Sequence, residues 1–207
     1  MDEHRILVTG GTGFVGSHIV QELRQRHPEY RLTILDLQPR SAWKQVVPGI
    51  EYIQTDVTDA VQVLNAIRQA NPVLIVHTAG VVPTGSARYG RKARDIVFNI
   101  NVTGTRNVIE AAKRCNVKSL VFTSSCTIIT DDNDRDFPNM DERIPIPTSA
   151  LIYGQSKVIL STLFYLQAVL LTIDRLPPKL LSWRQMGLNF ELVHCDHPLS
   201  WGQETLI

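Results

Sequence analysis

The chain has 207 residues, 43% of them hydrophobic, with 21 basic against 20 acidic side chains and a formal charge of +1. That length suits one domain and a fragment of a second, with enough apolar material for a core. The balanced charge argues against a nucleic-acid role, because phosphate binding needs a basic patch.

The opening "MDEHRILVTG" is charged and passes directly into an apolar run, so no signal peptide is expected there. A first strand is predicted over 5–10, and "VTGGTGFVG" at 8–16 follows it into a helix whose Val15, Ile19 and Leu23 share one face. Glycines at 10, 13 and 16 permit a tight turn, a close backbone approach to a pyrophosphate and close helix packing. The helix N-terminus, with Phe14 and Val15 in its first turn, offers N–H groups and partial positive charge to phosphates.

The second strand, 31–36, ends in Asp36, 20 residues after Gly16 and suitably placed to accept from adenosine ribose hydroxyls. Its carboxylate repels a 2′-phosphate and so favours NAD. Arg40 either softens that preference, leaving NADP usable, or is a plain surface charge. The third strand, 51–56, brings Asp56 and Val57 either to the adenine edge or, for Asp56, into a turn or cap before Ala60. The following helix is predicted to turn Val61, Leu64 and Ile67 inward. The fourth strand, 73–80, carries His77, expected to be a satisfied core histidine, and then Ala79 and Gly80, which let a cofactor approach the backbone.

A long helix from Arg91 to Cys115 is expected to bury Ile96, Ile100 and Val108. The fifth strand, 119–125, ends in two serines at the carboxyl edge where open parallel sheets hold ligands. Ser125 is the candidate for orienting a substrate oxygen, with Ser124 as the alternative. Residues 130–149 are acidic and proline-bearing and read as a surface loop. Beyond them Tyr153 and Lys157 lie one helical turn apart. A lysine ammonium there favours the phenolate, lowering the tyrosine from its usual value near 10 so that it can accept a substrate proton. Lys157 could also hold a nicotinamide ribose.

Between Lys157 and Asp174 stand 16 uncharged residues, fewer than the roughly 18 that suggest a membrane span, so a buried helix and strand are expected. Strands separated by helices predict an α/β chain, a Rossmann-type doubly wound parallel sheet with helices on both faces. The organised domain is expected over 1–173, with an irregular tail at 174–207. Cys115, Cys126 and Cys195 give neither a disulfide frame nor a zinc spacing, which suits a reducing, cytoplasmic compartment. Cys126 has no evident base and reads as packing. "HCDH" at 194–197 lacks the usual ligand spacing, so no metal is expected.

Glycine loop, ribose acid, strand-end serine and Y-x-x-x-K in this order resemble the extended short-chain dehydrogenase/reductase superfamily. Within it the sequence is most similar to the 3β-hydroxysteroid dehydrogenase family. "VTGGTGFVGSHIV", "TDVTD", "VHTAG", "NVTGTRNVIEAA" and "LVFTSSCTIITDD" carry that likeness. "DERIPIPTSALIYGQSK" at 141–157 looks like the decarboxylating sterol-4α-carboxylate 3-dehydrogenases of fungi.

The resemblance implies Ser125, Tyr153 and Lys157 as the catalytic set and Gly10, Gly13, Gly16 and Asp36 on the dinucleotide. It adds Asn101, an asparagine that supports the site from the long helix through a local break and a water; the plainer reading is a helix residue with a satisfied amide. It further implies a sterol-like small-molecule substrate, peripheral association with the endoplasmic reticulum membrane, and a homodimer. The "NVT" at 101–103 also fits a glycosylation sequon, a chance match if the helix is buried. Family members continue past the tyrosine helix into an Arg-Pro turn and a substrate domain, of which "LLTIDRLPP" at 170–178 is a faint echo. The substrate domain is therefore expected to be largely missing. A nucleotide-sugar epimerase or dehydratase, and a module that holds cofactor without turnover, are the competing readings.

Overall fold

A computed structural model describes residues 4–42, 48–84, 90–128, 151–168 and 190–192. The chain forms two compact units, one of Met1–Gly80 with Thr103–Phe122, the other of Val81–Val102 with Thr123–Ile207. The sequence-predicted loop at 130–149, the "LLTIDRLPP" and "HCDH" stretches, and most of the tail lie outside the described residues.

In the first unit, β1 (Arg5–Thr9), β2 (Arg31–Asp36), β3 (Glu51–Gln54), β4 (Leu74–His77) and β5 (Ser119–Thr123, whose last residue belongs to the second unit) form a parallel sheet. Their spatial order is β3-β2-β1-β4-β5. The sheet grows outward in both directions from β1 and β4. Right-handed crossovers then put α1 (Phe14–Arg26) on one face and α2 (Ala60–Ala70) and α4 (Thr105–Arg114) on the other. This is the expected Rossmann-type doubly wound sheet, and its switch point lies between the carboxyl ends of β1 and β4. Central strands read as unbroken apolar runs because both faces are covered: Ile6, Leu7, Val8, Ile34, Leu35, Ile75 and Val76 are all buried.

Helix α1 buries Ile19, Val20 and Leu23 and stops at His27 before Pro28, with Arg24 and Arg26 complementing its C-terminal dipole. Helix α2 is capped by Asp59, whose carboxylate accepts from the amides of Val61 (2.9 Å) and Gln62 (3.0 Å). It ends on Asn71 at φ 43°, in the left-handed region an asparagine tolerates.

Two expected faces are corrected. Val61 is 67% exposed, because a repeat of three drifts around a helix, and the inward stripe is Val63, Ala66, Ile67 and Ala70. Ile96 is 48% exposed and Val97 is buried in its place. The helical run α3 (Arg91–Val97) widens into π geometry over Phe98–Gly104, so the 3.6-residue period behind the Ile96 and Ile100 pairing does not hold there.

In the second unit, α3 packs against α5 (Ile152–Ala168), and α5 against the short 3-10 turn Cys126–Ile128. A three-residue strand, β6 (Phe190–Leu192), stands within the region read as an irregular tail. Among the described residues no helix is long and apolar enough to cross a membrane.

Candidate active site

The glycine loop of the first unit divides its labour as the spacing requires. Gly10 sits at φ +66°, and a Cβ there would meet the Ala79 backbone at 2.7 Å. That contact fastens the turn after β1 to the turn after β4. A Cβ on Gly16 would lie 2.2 Å from the Gly10 carbonyl oxygen, so only glycine lets α1 pass so close to the loop. Gly13 differs. It is exposed, it is the N-cap of α1 with no side-chain cap, and a Cβ there would meet only the Gly10 oxygen, at 3.2 Å. The first turn of α1 carries no acid, and Phe14 is 82% exposed beside it, its ring tilted against that of His18. Val15 is half-buried.

Asp36 ends β2 with its carboxylate turned to this loop. Oδ2 accepts from the Thr12 amide at 3.0 Å and Oδ1 from the Gln38 amide at 3.1 Å. Thr12 was not singled out in the sequence, and nothing local marks it. The negative charge of Asp36 and, more strongly, burial push the nearby Tyr52 phenol up to about 12. Asp56 also shapes its own turn: Oδ1 accepts from the Thr58 amide (2.9 Å) and hydroxyl (2.8 Å), while Asp59 does the capping. Val57 is buried under Gly104, and its carbonyl accepts from Asn107 Nδ2 at 3.0 Å.

His77 is the satisfied core histidine expected. It is buried, with Nδ1 2.6 Å from the Thr9 hydroxyl and Nε2 2.8 Å from the Thr105 hydroxyl. The two threonines were not foreseen. The Thr9 hydroxyl also accepts from the Ala79 amide at 3.3 Å, so the histidine backs the loop after β4.

The second unit gathers the other candidates. Tyr153 and Lys157 face one way from α5, with the Lys157 Nζ 5.6 Å from the centroid of the tyrosine ring. Ser125 stands close enough to the phenol to favour its phenolate form. Its hydroxyl oxygen accepts from the Thr127 hydroxyl at 2.9 Å. Ser124 instead lies 3.4 Å from the buried Ser161 hydroxyl, so Ser125 is the strand-end serine at the tyrosine. Lys157 is only 5% exposed and donates to the Thr123 carbonyl at 2.7 Å. Burial draws its pKa down to about 8.

One expectation fails here. Tyr153 is raised, not lowered: burial outweighs the opposing effect of Ser125, and Cys126 nearby pushes the same way as burial. The ammonium's donation goes to a carbonyl, and desolvation of the phenolate dominates.

Asn101 is 1% exposed in the middle of the π-helical segment, the local break expected around it, and is not open to glycosylation. Its Oδ1 accepts from the Val81 amide (2.8 Å), and its Nδ2 donates to the Val81 carbonyl (3.1 Å) and to Ser156 Oγ (3.1 Å). Ser156 was missed by the sequence reading, because its burial and its bond to Asn101 arise only in the fold.

A doubly wound sheet with a glycine-rich first turn and an acid ending β2 defines a Rossmann-type domain of the extended short-chain dehydrogenase/reductase kind. The chain belongs to the 3-beta hydroxysteroid dehydrogenase/isomerase family, whose model matches residues 7–164. It is 35% identical over 160 residues to the decarboxylating sterol-4-alpha-carboxylate 3-dehydrogenase of Saccharomyces cerevisiae, covering 74% of this chain and 43% of that one. It is 39% identical over 128 residues to the human 3 beta-hydroxysteroid dehydrogenase type 7, covering 59% and 33%. Among solved structures, the UDP-glucose 4-epimerase of Thermus thermophilus in complex with NAD matches with a TM-score of 0.62 at 26% identity, covering 89% of this chain and 52% of that one. The chain thus spans less than half the length of the curated relatives named here.

Proposed function

We propose that this chain supplies the cofactor-binding and proton-transfer residues of an NAD-dependent oxidoreductase that oxidises the 3β-hydroxyl of a sterol or steroid. The observation that carries this reading is the Tyr153 phenol set beside Ser125 and one helical turn from a buried lysine. The residues of the first unit fit a dinucleotide. Gly10 and Gly16 hold the turn, Gly13 leaves room at the helix N-terminus, and the N–H groups of Phe14 and Val15 would meet the phosphates. Asp36 would take the adenosine ribose hydroxyls, Asp56 and Val57 would border the adenine, and Ala79 would allow close approach. Lys157, with Tyr153, would hold the nicotinamide ribose.

Bound NAD supplies a hydride acceptor. Tyr153 takes the proton of the substrate hydroxyl, and Ser125 orients that oxygen by its own hydroxyl. Asn101 fixes the first turn of α5 from behind. The names of the yeast and human relatives support a sterol-like alcohol as substrate. Peripheral contact with the endoplasmic reticulum membrane and pairing of two copies belong to the same reading. The likeness to the Thermus epimerase supports a second one, in which the same residues serve a nucleotide sugar.

The test is the purified protein with NAD and, separately, a 3β-hydroxysterol, its 4α-carboxy derivative and UDP-glucose. NADH formation with the sterols alone is expected where a substrate domain accompanies these residues, and dinucleotide binding with little sterol turnover from residues 1–207 by themselves. Conversion of the nucleotide sugar alone would establish the second reading, and cofactor binding without any turnover even with that domain would reduce the chain to a binding module. In calorimetry NAD should bind more tightly than NADP. Asp36→Ala should erase about tenfold of that preference, the worth of a charged hydrogen-bond acceptor, with the fold unchanged. Equal affinities in the wild type would overturn the role of Asp36.

A further inference from the structure

We propose that Ser156 is a positioning residue that ties the turn carrying Tyr153 to Asn101, and so holds the tyrosine for proton transfer; this rests on the function proposed above. A serine hydroxyl has one proton to give and lone pairs to receive with. Ser156 gives its proton to the Tyr153 carbonyl at 2.7 Å and receives from Asn101 Nδ2 at 3.1 Å. It is fully buried, so no water substitutes for either partner.

Tyr153 is the second residue of α5, within the turn that frays most readily in any helix. Back-bonding by Ser156 to the carbonyl three residues earlier binds that turn to the next one. Asn101 then anchors the serine to a segment it grips twice more through the Val81 amide and carbonyl. A continuous line of hydrogen bonds therefore runs from the Val81 backbone through Asn101 and Ser156 to the backbone of Tyr153. All of it lies within the second unit. The π-helical turn has a purpose in this scheme, since it sets Asn101 where its amide reaches both ends of the line.

Ser156→Ala removes the link and leaves one Asn101 N–H buried without its acceptor. In the full chain, amide hydrogen exchange over residues 153–157 of the ligand-free protein should rise about tenfold, reporting local opening of the turn. In turnover with NAD and a 3β-hydroxysterol, kcat should fall about tenfold while the KM for NAD stays within about twofold, as displacement of a reacting group predicts. Because the two residues act through each other, Asn101→Ala combined with Ser156→Ala should be no slower than Asn101→Ala alone.

Unchanged exchange in Ser156→Ala would overturn the inference whatever the turnover. So would an unchanged kcat, or losses that multiply in the double variant. If the wild type oxidises no sterol even with a substrate domain, the proposed function fails on its own, and the exchange measurement alone decides whether Ser156 ties down the turn.

Discussion

Replacing Tyr153 by phenylalanine is expected to lower sterol oxidation by roughly 100- to 10,000-fold while leaving NAD affinity within about twofold, the range general-base residues contribute. The ring still packs in its half-buried place on α5, so the fold has no reason to change. What disappears is the phenol oxygen beside Ser125, and with it the acceptor for the substrate proton. Steady-state kinetics with a 3β-hydroxysterol, beside calorimetric titration with NAD, separate the two effects. Retained turnover would transfer the proton to another group and dismiss the tyrosine. Equal loss of cofactor binding would mean that the phenol serves chiefly the dinucleotide, with its share of the ribose contact outweighing proton transfer.

The second large effect is expected at Gly16. A methyl group there would stand 2.2 Å from the Gly10 carbonyl oxygen, 2.8 Å from the Gly11 Cα and 2.8 Å from the Thr78 hydroxyl. Two of these three are backbone and cannot rotate aside, so α1 must move off the loop. Gly16→Ala should therefore destabilise the chain by about 3 kcal/mol in urea unfolding and abolish measurable NAD binding. Gly13→Ala is the internal comparison. Its methyl meets only the Gly10 oxygen, at 3.2 Å. Stability should fall by only about 1 kcal/mol, the cost of alanine at an N-cap, while NAD affinity drops because the methyl occupies the phosphate approach. Similar unfolding midpoints for the two variants would show that the close passage of α1 is not needed.

The contrast between these glycines was partly legible in the sequence. A strand before the loop, a helix after it and Asp36 at the end of the next strand are all local patterns, and a parallel sheet covered on both faces follows from alternating elements. His77 was legible too, since a histidine at the end of an apolar run is more often satisfied than free. Helix faces were less secure: Val61 and Ile96 failed because one was drawn from a drifting repeat and the other next to a π turn that no periodicity announces. Ser156 escaped because its meaning lies in Asn101, 55 residues away. The raised Tyr153 escaped for another reason. Spacing places a lysine beside a tyrosine, but only packing decides how much water the phenolate loses.

That packing also weighs on Lys157, and folding itself should register it as proton linkage. An unfolded lysine holds its proton up to about 10.5, whereas burial leaves this one near 8 in the ligand-free fold. Between those limits the unfolded chain binds the proton more tightly, so native stability climbs as pH rises and the cost of the buried charge is borne in full below about 8. That displacement corresponds to about 3 kcal/mol. Measured in urea, the stability of the wild type relative to Lys157→Met should therefore shift toward the wild type by up to that amount between pH 7 and pH 10.5, and a constant difference would mean that the ammonium keeps its solvation in the fold.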